Sequence, residues 1–340
     1  MKERNVGFGI VGIGFGASRA AMVNALPGAT LVAVSSRDEE KARGAGERLG
    51  AEWYTDYRRM LERDDIDVIG IYTPSAQHRD IAIEAAQAGK HLIITKPIEI
   101  TLERVDDMIA ACDAAGVKMA TEYYVRYEPA NHALRNAIQS GAIGKPILGE
   151  FSEKLYRPQW YYEMDGGWRA RWATGGGGTV INQGIHTLDQ MVWMFGEVES
   201  VTARAGAFAS DIESEDTAVV LVSFRNGAVG SFIATTTFHN PRPGGRYGGG
   251  MVRRIEVNGT GGSARIDDEA LSMLYLEGGK TPPEAAAPVA KNIIDDMARW
   301  VRDDDYESPT LVRPAAARAS MELVLAIYES ARTGQTVRLS

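Results

Sequence analysis

The 340-residue sequence has a single cysteine, so no internal disulfide is available and a reducing cytoplasm is the expected compartment. Cys112 falls in phase with Val105, Met108 and Ile109 on an expected helix, which makes it a core residue. No apolar run reaches the length of a membrane span. No leader is expected, because Val6 already opens the first strand. Long Lys/Arg runs are missing and the net charge is −8, which argues against nucleic acid or an anionic membrane as partner. No His/Asp/Glu/Cys cluster has zinc-ligand spacing, so no metal is expected. The lack of a G-x-S-x-G elbow removes the usual serine hydrolase.

What is present begins at the N-terminus. Val6 to Val11 reads as a buried strand, and Gly12-Ile13-Gly14-Phe15-Gly16-Ala17 follows without a spacer. Ala20, Ala21, Met22, Val23 and Leu26 then give a helical apolar stretch, and Thr30 to Ser35 the next strand. This is the G-x-G-x-x-G/A layout in strand-turn-helix context, and it predicts a dinucleotide site. Gly12 permits the tight turn, Gly14 lets backbone approach a pyrophosphate, and Ala17 is expected to allow close helix–strand packing. The helix N-terminus offers unpaired N–H groups to the phosphates. The second strand ends Ser35-Ser36-Arg37 before Asp38. A hydroxyl followed by a guanidinium favours NADP over NAD, whereas Asp38 on the ribose would favour NAD.

Strand and helix alternate to about residue 123, as in a doubly wound parallel sheet. Longer strand-like stretches follow, with Asn226-Gly227 as a hairpin turn. The fold class is therefore α/β: a Rossmann domain over residues 1–123, then an α/β domain with a large open, mainly antiparallel sheet over residues 124–340.

Two further places carry chemistry. Thr95-Lys96-Pro97 ends a central strand, where open parallel sheets bind ligands, so Lys96 would point into the cofactor crevice and stabilise a developing alkoxide. A lysine before proline can equally be a surface turn. Gly175 to Gly178 lead into a helix on which Asn182, His186 and Asp189 share one face and Ile185, Leu188 and Val192 another. His186 on a polar face suits a general base, or else a hydrogen-bonded histidine at a domain interface. His78 follows the Thr73-Pro74 strand end and could line the crevice; His91, His132 and His239 read as structural.

With these residues in place, the chain resembles the glucose–fructose oxidoreductase/inositol dehydrogenase (Gfo/Idh/MocA) family across essentially its full length. The specific matches are Thr73-Pro74-x-x-x-His78, Ala88-Gly89-Lys90-His91 leading to Lys96-Pro97, Arg126-Tyr127-x-Pro129, Gly141-x-Ile143-Gly144, and Trp168-Arg169 followed by the glycine run and Asn182 to Asp189. The resemblance implies hydride transfer between a nicotinamide and a hydroxyl-bearing carbon of a sugar, cyclitol or sugar derivative. It implies Lys96 and His186 as the catalytic pair, with Asn182 at the supporting position that usually holds Asp. Trp168, Arg169 and the Tyr123-Tyr124 pair match substrate-side positions. The cofactor set is then Gly12, Gly14, Phe15, Gly16, Ser36, Arg37, Thr73, Pro74, His78, Thr95 and Lys96, and the substrate set Tyr124, Trp168, Arg169, Asn182 and His186. A homodimer or homotetramer built on the open sheet is implied. An NAD-retaining glycosidase that works by transient oxidation and elimination is the alternative activity on this scaffold.

Three positions depart from the family pattern. Thr95 replaces the usual Glu before Lys-Pro, and Asn182 cannot hold a negative charge beside His186, which leaves Lys96 a larger share of the proton transfer. An insertion from Asn240 to Arg254 brings Arg242, Arg246, Arg253 and Arg254, read as a solvated loop or subunit contact, or as a clamp for an anionic substrate group.

Overall fold

Apolar runs bounded by caps and glycines account for the first third of the chain. The computed structural model describes residues 4–239, 250–279 and 288–339. It runs β1 (Val6–Val11), α1 (Gly16–Asn24), β2 (Ala29–Ser35), α2 (Glu39–Leu49), β3 (Glu52–Tyr54), α3 (Arg58–Leu61), β4 (Val68–Ile71), α4 (His78–Gln87), β5 (His91–Thr95), α5 (Leu102–Ala115) and β6 (Met119–Glu122). The strands form one parallel sheet in the order β3-β2-β1-β4-β5-β6, so the order reverses between β1 and β4. Every residue of β1 and β4 is buried, as parallel strands covered on both faces require. Local chemistry sets the helix ends. Asp38 caps α2 by accepting from Lys41 N, Thr101 caps α5 through Arg104 N, and Gly50 and Gly116 close the two helices at φ 68° and 65°.

After residue 122 come α6 (Pro129–Gln139), β7 (Pro146–Lys154), α7 (Gln159–Glu163), α8 (Trp172–Gly175), α9 (Ile185–Phe195), β8 (Val198–Gly206), β9 (Thr217–Phe224), β10 (Val229–Thr235), β11 (Val252–Gly259), β12 (Gly262–Asp267), β13 (Ala270–Leu276), α10 (Ile293–Arg302), α11 (Pro314–Thr333) and β14 (Val337–Arg338). A π-helical turn, Val180–Gly184, leads into α9. Eight strands form the second sheet, ordered β13-β12-β11-β7-β10-β9-β8-β14. Its pairs are antiparallel except β10 on β7. Along β9, Ala218, Val220, Val222 and Phe224 are buried while Val219 and Leu221 are exposed, the period-two alternation of a sheet with one covered face. Among the described residues no helix is long and apolar enough to cross a membrane.

The chain divides into two compact units, Met1–Glu122 with Val289–Arg318, and Tyr123–Pro288 with Ala319–Ser340. The reading of 124–340 as one continuous second domain did not include this return. Its cause is side-chain chemistry: Arg302 donates to Gly28 O, Lys118 reaches the Trp300 carbonyl, Arg318 pairs with Asp106, and Thr121 N bonds Val312 O at 2.9 Å. Ile293, Ile294 and Met297 on α10 are fully buried.

Two expectations on the second sheet change as well. Arg253 and Arg254 lie in β11, not on a loop; Arg253 is 1% exposed and Arg254 pairs with Asp267 across to β12 at 2.8 Å. Arg242 and Arg246 lie outside the described residues.

Candidate active site

The first unit presents a nucleotide cradle made mostly of backbone. Gly12 has φ 89°, and a Cβ there would lie 2.6 Å from the Tyr72 carbonyl oxygen, so only glycine fits. Nothing lies within 4 Å of a Cβ at Gly14, which leaves that side of the turn open to a ligand. Close helix–strand packing falls on Gly16, where a Cβ would meet Ile10 at 2.9 Å and Tyr72 at 3.1 Å; Ala17 is only half-buried. This corrects the role expected of Ala17, because the helix already starts at Gly16. No side chain caps the N-terminus of α1, which follows directly on the glycine turn where a pyrophosphate would sit. These features fit a dinucleotide.

At the end of β2, Ser36 Oγ accepts from Asp38 N at 3.3 Å, and the Asp38 carboxylate is occupied in capping α2. The Lys41 backbone bond holds the Asp38 carboxyl below its ordinary value. Arg37 is exposed and makes no ion pair among the described residues. Thr73 and Pro74 follow β4, and Thr95 and Lys96 end β5, the next strand in the sheet. The Lys96–Pro97 peptide bond is cis.

His78 departs from its expected place in the cofactor set. It is fully buried, with Nδ1 3.1 Å from both the Pro97 and Ile98 carbonyl oxygens and Nε2 2.9 Å from Thr73 O. Burial pushes its pKa down, and it ties the chain after β4 to the chain after β5. Sequence reading also missed a buried ion pair here. Arg19, in the first turn of α1, donates through Nε at 2.8 Å and through Nη2 to Glu122 Oε1, and its guanidinium lies 4.0 Å from the Phe15 ring centroid. Glu122 stands in register opposite Thr95. The partners are 103 positions apart, so no local motif announces them.

The second unit carries Asn182 in the π turn and His186 on α9. His186 is 5% exposed, with the Tyr123 and Tyr124 rings edge-on to it at 5.8 and 4.6 Å. The expected polar and apolar faces do not describe this helix, because Ile185 through Met191 are all buried. Asp189 is therefore not on an open face. It accepts from Arg126 Nε at 2.7 Å and Nη2 at 2.8 Å, and from Ser320 Oγ at 3.3 Å. Thr187 donates to Glu153 Oε2 at 2.9 Å.

Trp168 and Arg169 sit together: the Arg169 guanidinium lies 4.4 Å from the Trp168 ring and 5.1 Å from that of Tyr161. The Tyr161 hydroxyl accepts from Gln183 Nε2 at 3.1 Å, which connects this stack to the residue after Asn182. Nearby, Asp165, Gly166 and Gly167 are consecutive left-handed residues at φ 52°, 79° and 72°. Arg253, read as a possible clamp for an anion, is instead held by Glu128 and by the Asp268 carbonyl oxygen.

Comparison with known proteins places these features in context. Residues 6–123 match a family model described as the oxidoreductase family, NAD-binding Rossmann fold, GFO/IDH/MocA, and residues 131–265 match the GFO/IDH/MocA C-terminal domain. The chain is 29% identical over 332 residues to the D-apiose dehydrogenase of Paraburkholderia graminis, covering 92% of this chain and 84% of that one. It is 31% identical over 251 residues to the scyllo-inositol 2-dehydrogenase (NAD(+)) of Bacillus subtilis, covering 72% and 68%. The crystal structure of the WlbA dehydrogenase from Bordetella pertussis, in complex with NADH and UDP-GlcNAcA, superposes with a TM-score of 0.87 at 29% identity over 99% of both chains.

The Arg126–Asp189 pair yields a stability prediction. Arg126→Leu strands a carboxylate in the core and should cost about 3–5 kcal/mol in urea denaturation, whereas Arg126→Leu/Asp189→Leu should recover most of it. A single-variant loss under about 1 kcal/mol would show that water reaches Asp189.

Proposed function

The chain belongs to the Gfo/Idh/MocA oxidoreductase family, and from that membership we propose that Lys96 and His186 share the proton transfer of a sugar or cyclitol dehydrogenase. The chain is an NAD-binding oxidoreductase of sugar or cyclitol substrates, as its dehydrogenase relatives are. Bound nicotinamide supplies the hydride acceptor or donor. His186 takes the proton of the substrate hydroxyl, and the Lys96 ammonium donates a hydrogen bond to the oxygen on which charge develops. Asn182 is neutral and offers His186 no counter-charge, so more of the work falls to Lys96. The observation that carries the reading is the place of Lys96, at the carboxyl end of β5 in the same parallel sheet whose β1 leads into the glycine turn.

For the cofactor we favour NADP. In support, Arg37 is exposed without an ion pair among the described residues, and Asp38 is engaged as the α2 cap. For assembly we favour a homodimer or homotetramer on the uncovered sheet face, where Leu148, Val219, Leu221, Val229 and Tyr275 are exposed. A reducing compartment suits the single buried Cys112, whose thiol burial pushes up to about 12.

Lys96→Met should abolish turnover of sugars and cyclitols, read at the nicotinamide absorbance, and leave cofactor affinity within about threefold; retained turnover would refute the role. Arg37→Ala should weaken NADPH binding by about ten- to a hundredfold, the loss of a charge-assisted bond, with NADH unchanged; equal losses for both would refute a 2′-phosphate contact. Leu221→Asp should convert the assembly to smaller species in sedimentation velocity, and an unchanged distribution would remove that face from the interface.

A further inference from the structure

The glycine run 175–178 has so far had no function. A Cβ at Gly177 would lie 2.0 Å from the Tyr328 hydroxyl, and one at Gly178 would lie 1.8 Å from the Glu215 carbonyl oxygen. These two glycines exist so that Glu215 and Tyr328 can approach the backbone where the helical stretch begins.

The first N–H groups of a helix have no partner within it. Here all four are met by those two residues. Gly178 N donates to Glu215 Oε2 at 2.9 Å, Thr179 N to the Glu215 carbonyl oxygen at 2.9 Å, Val180 N to Glu215 Oε1 at 2.8 Å, and Ile181 N to the Tyr328 hydroxyl at 3.3 Å. Tyr328 donates in turn to Glu215 Oε1 at 3.0 Å. The next amide, Asn182 N, starts the internal ladder by bonding Gly178 O at 3.0 Å. Glu215 is 3% exposed, so its carboxyl is a fixed internal acceptor at the positive end of the helix, contributed by a residue more than thirty positions away.

We propose that Glu215 is a positioning residue: with Tyr328 it fixes the start of the helix and so sets the pitch and rotation at which Asn182 and His186 are presented. The proposal rests on the reading of those two as site residues. Because the cap saturates the helix end, no anionic ligand competes for it, and movement there would carry both side chains with it. Burial pushes the Glu215 carboxyl up to about 7. Tyr328 faces it from α11, while the adjacent Asp216 carboxylate is turned onto the Phe208, Ala209 and Ser210 amides. A folded-state value raised this way means folding binds a proton more tightly than the unfolded chain does. The contribution is therefore most favourable below about 4.5 and declines as pH rises through about 7.

The test uses the full chain with Glu215→Gln and, separately, Tyr328→Phe. Glu215→Gln should lower kcat for alcohol oxidation at least tenfold, while KM and the NADH and NADPH dissociation constants stay within twofold. Amide exchange should accelerate across residues 178–186. The stability gap between wild type and Glu215→Gln should move in the variant's favour as pH rises from about 5 to about 8, since the variant has no proton to lose. A folded Glu215→Gln enzyme with kcat within twofold of wild type, unchanged exchange, or a gap constant with pH each overturns the proposal. If Glu215→Gln does not fold, Tyr328→Phe decides: a severalfold kcat loss supports the cap, and a wild-type kcat overturns it. If wild type oxidises no sugar or cyclitol, the hydride-transfer reading fails by itself, and local exchange in the variants still decides the cap.

Discussion

A helix with most of its side chains buried draws its charged groups and its first amides into pairings with distant elements, and that constraint organises much of the second unit. The stretch from Thr179 to Phe195 is buried except at Asn182, Val192 and Trp193, and the Gln190 amide and the Thr179 hydroxyl stay without hydrogen-bond partners among the described residues. Asp189 is met by Arg126 and Ser320, Thr187 by Glu153 on β7, and Gln183 by Tyr161. The amides at the start are met by Glu215 and Tyr328. These partners come from separate elements, and each constrains the same rod at a different height. Such over-determination is what a site needs if His186 is to keep one orientation between its two tyrosine edges.

The first unit meets its task differently. Its cradle is backbone, shaped by the positive φ of Gly12 and the open side of Gly14, and its side chains matter at strand ends. There the charge has been rearranged. Thr95 stands where the family pattern has a carboxylate, and directly across the sheet Glu122 supplies one from β6, already neutralised by Arg19. The row of residues at the carboxyl edge thus keeps an acidic group while its net charge stays balanced. Lys96 is the next residue along β5 beyond Thr95.

What could be read from the sequence was whatever depends on neighbours in the chain. The β1–turn–α1 unit, the Asn226-Gly227 hairpin and the strand leading to Lys96 all follow local rules. What escaped was set by distant pairs. Asp189 looked like one corner of a shared polar face because helical periodicity cannot reveal an arginine 63 positions away. The five-residue π turn breaks that periodicity between Asn182 and His186. Residues 289–318 return to the first unit through Arg302, Lys118 and Arg318, contacts invisible in composition. Arg253 looked like a loop residue because the glycine-rich stretch before it hides where β11 begins.

The saturated helix start also bears on where positive charge is available for the reaction. A helix N-terminus is a natural place to stabilise a developing oxyanion, and an uncapped one beside Asn182 could have done so. Here Glu215 fills that role internally, and the Asn182 side chain adds no charge. Among the other cations of the second unit, Arg126 is committed to Asp189, Arg253 to Glu128 and Arg169 to its aromatic stack and Asp165. On the proposed reading, Lys96 at the end of β5 is the cation suited to stabilise an alkoxide that forms during hydride transfer. A neutral Asn182 and an internally saturated helix start are both compatible with that proposal, in which the histidine accepts a proton and the lysine carries the electrostatic load.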